Sequence, residues 1–148
     1  MGQALVVPRG AHTATEEHRR LRALLAQIEG AFGRSVARAS TGPDVVAAGL
    51  DTLRGPLRAH FDEEERARLY EEIEELAPEQ ASLCARLRGE HEGLMRRLDS
   101  LRAASPEARR GPTWVREVRA FLADLSGHEE RETDLLARTL DGSIGAGD

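Results

Sequence analysis

Four stretches of the chain place apolar residues in alternating steps of three and four, the period of helices that bury one face. The first carries Ala14, His18, Leu21, Leu25, Ile28 and Phe32. It is predicted to start near Thr13 or Thr15, with Thr15 as cap and Glu16 and Glu17 suiting the positive helix start. Gly30 and Gly33 signal its end. The second runs from about Pro43 to Leu76, with a stripe of Val46, Leu50, Leu53, Leu57, His60, Glu64 and Ala67. Gly55-Pro56 interrupts it one turn before His60, where proline removes a backbone hydrogen bond and favours a kink. The third, residues 79–104, aligns Cys84, Leu87, His91, Leu94, Leu98 and Leu101. The fourth, residues 112–140, aligns Trp114, Val118, Phe121, Leu125, His128, Glu132, Leu135 and Thr139.

Short connections rich in Gly, Pro and Ser separate these stretches, at residues 33–42, at Ala77-Pro78 and from Ser105-Pro106 to Gly111-Pro112. The expected fold is therefore all-α, an up-down-up-down antiparallel four-helix bundle over residues 14–140. Residues 1–13 read as a flexible lead-in and 141–148 as a disordered tail.

Six ionisable residues interrupt the apolar stripes at mid-helix: His18, His60, Glu64, His91, His128 and Glu132. His60–Glu64 and His128–Glu132 each place an imidazole and a carboxylate four residues apart, on one helix face and about 6 Å apart along the axis. The two halves also repeat: Glu17-His18 and Glu90-His91 come first, and a HxxxE segment follows each. An unpaired carboxylate buried among leucines costs several kcal/mol. A metal ion is the partner that offsets such burial, since it takes neutral imidazole and ionised carboxylate together.

Four His and two Glu exceed the four ligands of a zinc site. They suit two octahedral ions, with two His from each hairpin and Glu64 and Glu132 bridging. Mixed nitrogen and oxygen ligation favours two iron ions, oxo- or hydroxo-bridged, with manganese the second choice. Open positions would accept O2, another small diatomic, or peroxide. Ferritin-like diiron proteins use Glu-x-x-His instead, with the opposite order and i,i+3 spacing. Cys84 lies two turns from His91, roughly 10 Å along the axis, and reads as a core residue. Tyr70, the only tyrosine, lies six residues beyond Glu64, off its face on a continuous helix, and reads as packing.

Composition narrows the field. Hydrophobic residues make up 40% and charged residues 32% of the 148, as in a globular domain. Every basic side chain is Arg, and the formal charge of −5 with no basic block argues against nucleic acid as a partner. Ala4–Val7 is too short for a signal-peptide core or a membrane span. A single cysteine excludes an internal disulfide, and the expected location is cytoplasmic.

The motif set resembles the hemerythrin-like, or HHE cation-binding, family. That family carries a His on helix one, HFxxEE on helix two, an Glu-His pair on helix three and HxxxE on helix four. Here these stand as Glu17-His18, His60-Phe61-Asp62-Glu63-Glu64, Glu90-His91 and His128 to Glu132. The resemblance covers about residues 14–140. It implies a non-haem diiron centre with His18, His60, His91 and His128 as terminal ligands and Glu64 and Glu132 as bridges. The oxygen-carrying members have a fifth His, spaced four residues from another on helix three. Leu87 and Met95 occupy those positions here, which argues against asymmetric O2 storage of that kind. Any fifth protein ligand would come from a nearby carboxylate, Glu63 first and Glu17 or Glu90 next; the preferred reading of each is a surface carboxylate or one that orients a His ring.

Two functions follow from this reading. The preferred one is a binding or sensing module for O2 or related oxidants; a signalling role would need a partner protein. The other is a diiron enzyme that consumes peroxide, nitric oxide or O2. Iron storage is weaker, since two ions per chain store little.

Overall fold

The computed structural model describes residues 9–36 and 42–145, with side chains described over 16–34 and 42–142. Among them lie six α-helices: α1 Arg9–Val36, α2 Gly42–Arg66, α3 Leu69–Leu76, α4 Ala81–Arg102, α5 Pro106–Arg109 and α6 Pro112–Gly145. A 3-10 turn, Pro78–Gln80, leads into α4. No described residue lies in a strand. The four long helices close a ring of contacts, α1 on α2, α2 on α4, α4 on α6 and α6 on α1. Among the described residues no helix is long and apolar enough to cross a membrane.

Every member of the apolar stripes whose side chain is described is buried, except the half-buried Ala67. They form two clusters with the ionisable residues between them. The larger runs from Leu21 and Phe32 of α1, through Leu50 and Leu57 of α2 and Leu98 of α4, to Phe121 of α6. The smaller gathers Leu69, Tyr70 and Ile73 of α3 with Cys84, Leu87, Leu135 and Leu136. Cys84 is therefore a core residue, and burial pushes its thiol up to about 11.

Three boundaries differ from expectation. Helix α1 is already helical from Arg9, so only residues 1–8 of the anticipated lead-in lie outside the described residues. The connection at 37–41 lies outside them as well. At the other end α6 continues to Gly145, since no proline follows Leu140 to stop it. Only residues 146–148 of the anticipated tail are outside the description.

The third difference shapes the site. The segment predicted as one helix from Pro43 to Leu76 is two, broken at Ala67–Arg68. Pro56 does not end α2. The break comes instead at Arg68, in the left-handed region with φ 54 and ψ 39. A non-glycine residue there costs roughly 1–2 kcal/mol. Burying Leu69, Tyr70 and Ile73, at 1–2% exposure, offsets this at about 1.5–3 kcal/mol per side chain.

The connection before α6 is tied down by side chains. Trp114 Nε1 donates to Leu101 O at 3.1 Å, and Arg109 Nη2 donates to Arg102 O at 2.9 Å. Both satisfy carbonyls that the end of α4 leaves open. Ser105 caps α5 by accepting from Ala108 N at 3.2 Å.

Candidate metal centre

The ionisable residues of the stripes meet in the middle of the ring of long helices. His18 and His60 are 4% exposed, Glu64 3%, Glu132 2%, and His91 and His128 none. They form two compartments. In the first, His18 of α1 faces His60 of α2; in the second, His91 of α4 faces His128 of α6, with ring centroids 5.1 Å apart.

Glu64 and Glu132 join the compartments. Glu64 Oε1 lies 2.6 Å from His60 Nε2 and 3.2 Å from His18 Nε2, while its Oε2 lies 3.3 Å from His91 Nε2. Glu132 is its counterpart. Its Oε2 lies 3.2 Å from His18 Nε2 and 3.8 Å from His60 Nε2, and its Oε1 lies 2.9 Å from His128 Nε2 and 3.4 Å from His91 Nε2. Each carboxylate thus turns one oxygen to each His pair.

These contacts are spaced like donors around a cation. With donor–metal bonds of about 2.1 Å, adjacent donors of an octahedron stand about 3 Å apart. The hydrogen-bond inventory agrees. His18 Nε2, His60 Nε2, His128 Nε2, Glu64 Oε1 and Glu132 Oε2 are buried, yet none is in hydrogen-bond geometry. Buried polar atoms without partners are rare, because each costs about 1–3 kcal/mol. Their short separations without hydrogen-bond alignment leave a cation as the shared partner the chemistry fits. Two sets of ligand atoms close enough for one ion recur: His18, His60, Glu129 and Glu132, and His91, His128 and Glu132.

Glu129 was not anticipated. It is fully buried, its Oε2 lies 2.8 Å from His18 Nδ1 and 3.5 Å from His60 Nε2, and neither of its oxygens has a hydrogen-bond partner. The three carboxylates named as candidates for a fifth ligand occupy other places. Glu63 pairs with Arg66 at 3.3 Å, with its side chain 39% exposed. Glu17 lines a surface cavity. Glu90 stands behind His128, accepting from Nδ1 at 2.8 Å while Arg131 grips it at 2.8 and 3.0 Å. That fixes the ring and leaves Nε2 facing Glu132.

The second correction is Tyr70. Read as packing, it does pack in the smaller cluster, and it also sends its hydroxyl into the second compartment. Oη donates to Glu132 Oε1, and lies 3.2 Å from Glu64 Oε2 and 3.1 Å from His91 Nε2. The break at Arg68 is responsible, since it folds α3 back and returns Tyr70 toward Glu64. Phe61 forms the apolar wall beside it, stacked on His91 at 4.0 Å and 7°.

Without a metal, the acids hold protons on the imidazoles. Burial lowers the His18 pKa, but Glu129 and Glu64 more than offset this and lift it from 6.5 to about 9. Burial likewise opposes charge on His60, which Glu129, Glu132 and Glu64 push up to about 12. His128 rises to about 8, since Glu132 and Glu90 outweigh its burial. Burial would raise Glu132, yet His128, His60 and His91 hold it well below the usual carboxylate range. Glu129 is lowered too, with burial outweighed by His18 and His60.

Two cavities reach the first compartment from outside. One of about 380 Å³ between α1 and α6 is lined by His18, Arg19, Arg22, Thr133 and Leu136. The other, of about 420 Å³ between α1 and α2, includes His60, Pro56, Leu21 and Glu63. In the second compartment His91 and His128 are fully buried.

A helical protein, strand-free among the described residues, with buried imidazoles and carboxylates converging between its long helices is built to bind cations. Residues 9–140 match the hemerythrin HHE cation-binding domain, and the chain belongs to that family. No curated protein and no solved structure matches it.

Proposed function

We propose that this protein holds a dinuclear non-haem iron centre, with manganese the second choice, and binds or senses O2 or a related small oxidant there. The four long helices would form the up-down-up-down bundle. His18 and His60 would hold one ion, His91 and His128 the other, with Glu64 and Glu132 bridging and Glu129 closing the first compartment. The observation that carries this reading is the split orientation of the two carboxylates, one oxygen to each His pair. A single ion would leave one of those pairs unused. Paired iron ions, when bound, supply two electrons to a small oxidant. The chain's own residues control access to them: the cavities at His18 and His60 open toward solvent, and Phe61 and the fully buried His91 and His128 seal the other side.

The test is metal analysis of the full chain loaded with ferrous iron without air, followed by O2 titration. About two irons per chain are expected, with a spectral change on adding O2 that reverses under argon. Trace metal would reject the dinuclear reading. Steady consumption of peroxide, lost in His60→Ala, would support the enzymatic alternative instead. One feature favours that alternative: Glu129 supplies an oxygen donor, and hard oxygen donors favour the oxidised metal.

A further inference from the structure

The two compartments are unequal if only His and Glu are counted. The first has His18, His60, one oxygen each from Glu64 and Glu132, and Glu129. The second has His91, His128 and the other oxygens of Glu64 and Glu132, and no third carboxylate. Tyr70 Oη lies where that missing donor would be. It is next to Glu132 Oε1, 3.1 Å from His91 Nε2 and 3.2 Å from Glu64 Oε2. These are three of the four atoms the second compartment directs inward, the fourth being His128 Nε2. A phenol donates its one proton to a single acceptor and accepts through its lone pairs, so hydrogen bonding accounts for Glu132 and for an Nε2–H of His91 but leaves Glu64 Oε2 at 3.2 Å. A place in the coordination sphere accounts for all three.

We propose that Tyr70 is a protein ligand of the second metal ion, bound through its phenolate oxygen. This rests on the dinuclear reading above and deepens it. On loading, the phenol proton leaves to solvent and the O–metal bond takes its place, with no change of oxidation state. Burial and the carboxylates of Glu132 and Glu64 hold the phenol protonated until the ions supply the opposing charge. Glu64, Glu129 and Glu132 bring three negative charges into a buried site, and two divalent ions bring four positive ones. A phenolate closes the difference without a further anion from solvent. The local fold serves the same end: the left-handed turn at Arg68 directs a residue 1% exposed onto the metal face of His91.

The experiment loads the metal-free full chain with ferrous iron, oxidises it in air, and records iron content, visible absorption and resonance Raman spectra. Phenolate bound to ferric iron gives a visible charge-transfer band and enhanced phenolate ring modes. The wild type is expected to show both, with about two irons per chain. Tyr70→Phe loses band and modes, and releases its second iron at a chelator concentration on the order of tenfold lower. Tyr70→His exchanges the oxygen donor for nitrogen; it keeps both irons and lacks the phenolate modes. Two irons in the wild type without phenolate modes overturn the Tyr70 assignment and leave the dinuclear reading intact. Absence of iron from the wild type overturns both, and metal analysis alone distinguishes these results. The wild-type spectrum decides the matter even where a variant fails to fold.

Discussion

Glu90 accepts a hydrogen bond from His128 Nδ1 at 2.8 Å, on the side of the ring away from Glu132. The carboxylate is itself held by both terminal nitrogens of Arg131, and it lies below the usual carboxylate range because Arg131 and His128 outweigh the cost of its burial. The ring is thereby fixed as the tautomer that presents Nε2 to the centre. Glu90→Ala removes this support without removing a ligand. The expected result is a loss of affinity of about 10–100-fold at the second compartment, with the first compartment little changed. A competitive chelator titration that resolves two metal equivalents measures it, and equal weakening of both equivalents would contradict the assignment.

The carboxylates should fall into a hierarchy. Glu132 faces all four imidazoles, at 2.9 to 3.8 Å. Glu132→Ala is expected to remove both metals, since it takes one donor from each compartment. Among the described imidazoles the carboxylate of Glu129 pairs with His18 and His60, so Glu129→Gln should weaken the first equivalent alone. Metal content after desalting separates the two. A Glu129 variant that loses both equivalents would mean that the compartments fill together.

The stripes made much of this legible. Step-three and step-four spacing places His18, His60, Glu64, His91, His128 and Glu132 on inward faces, and all six are buried together. Glu129 was harder to see because it falls in the charged run Glu129-Glu130-Arg131, which reads as a solvated face. A signal was nonetheless present: Leu122, Leu125, Glu129, Glu132 and Leu136 form a second stripe, offset by one residue from Phe121, His128 and Leu135. All five are buried, so α6 turns a broad face inward. Tyr70 could not be placed from periodicity. Its position depends on a left-handed turn at an arginine, a residue type that does not mark such turns.

That turn makes a stability prediction. Arg68 is exposed, and its φ of 54 suits glycine, which has no Cβ to clash. Arg68→Gly should relieve roughly 1–2 kcal/mol of steric cost, less about 0.4–1 kcal/mol for the freer unfolded chain. A net gain of about 0.5–1 kcal/mol is expected, read as a higher midpoint in urea with unchanged slope. Arg68→Val, a β-branched residue, should lower the midpoint instead. If both variants match the wild type, the turn is not held in the left-handed region in solution.

The protonation of the metal-free centre predicts opposite pH trends for the two forms. His128, His18 and His60 have folded pKa values of about 8, 9 and 12 against an ordinary 6.5. Raised values mean that their stabilisation is complete below pH 6.5 and is lost as pH rises through the folded values. Glu129 and Glu132 are lowered from 4.5, so their stabilisation is present above that value and lost as pH falls. The metal-free protein should therefore melt highest between pH 4.5 and 6.5 and weaken as pH rises toward 9. Metal binding runs the other way, because the ion must displace the imidazole protons and does so more easily as pH rises. The gap in melting temperature between loaded and chelator-treated protein should widen from pH 6.5 to 9, with protons released to solvent on loading. A gap that narrows over this interval would mean that the imidazoles are already neutral before the metal arrives, and the charge network drawn for the metal-free centre would not hold.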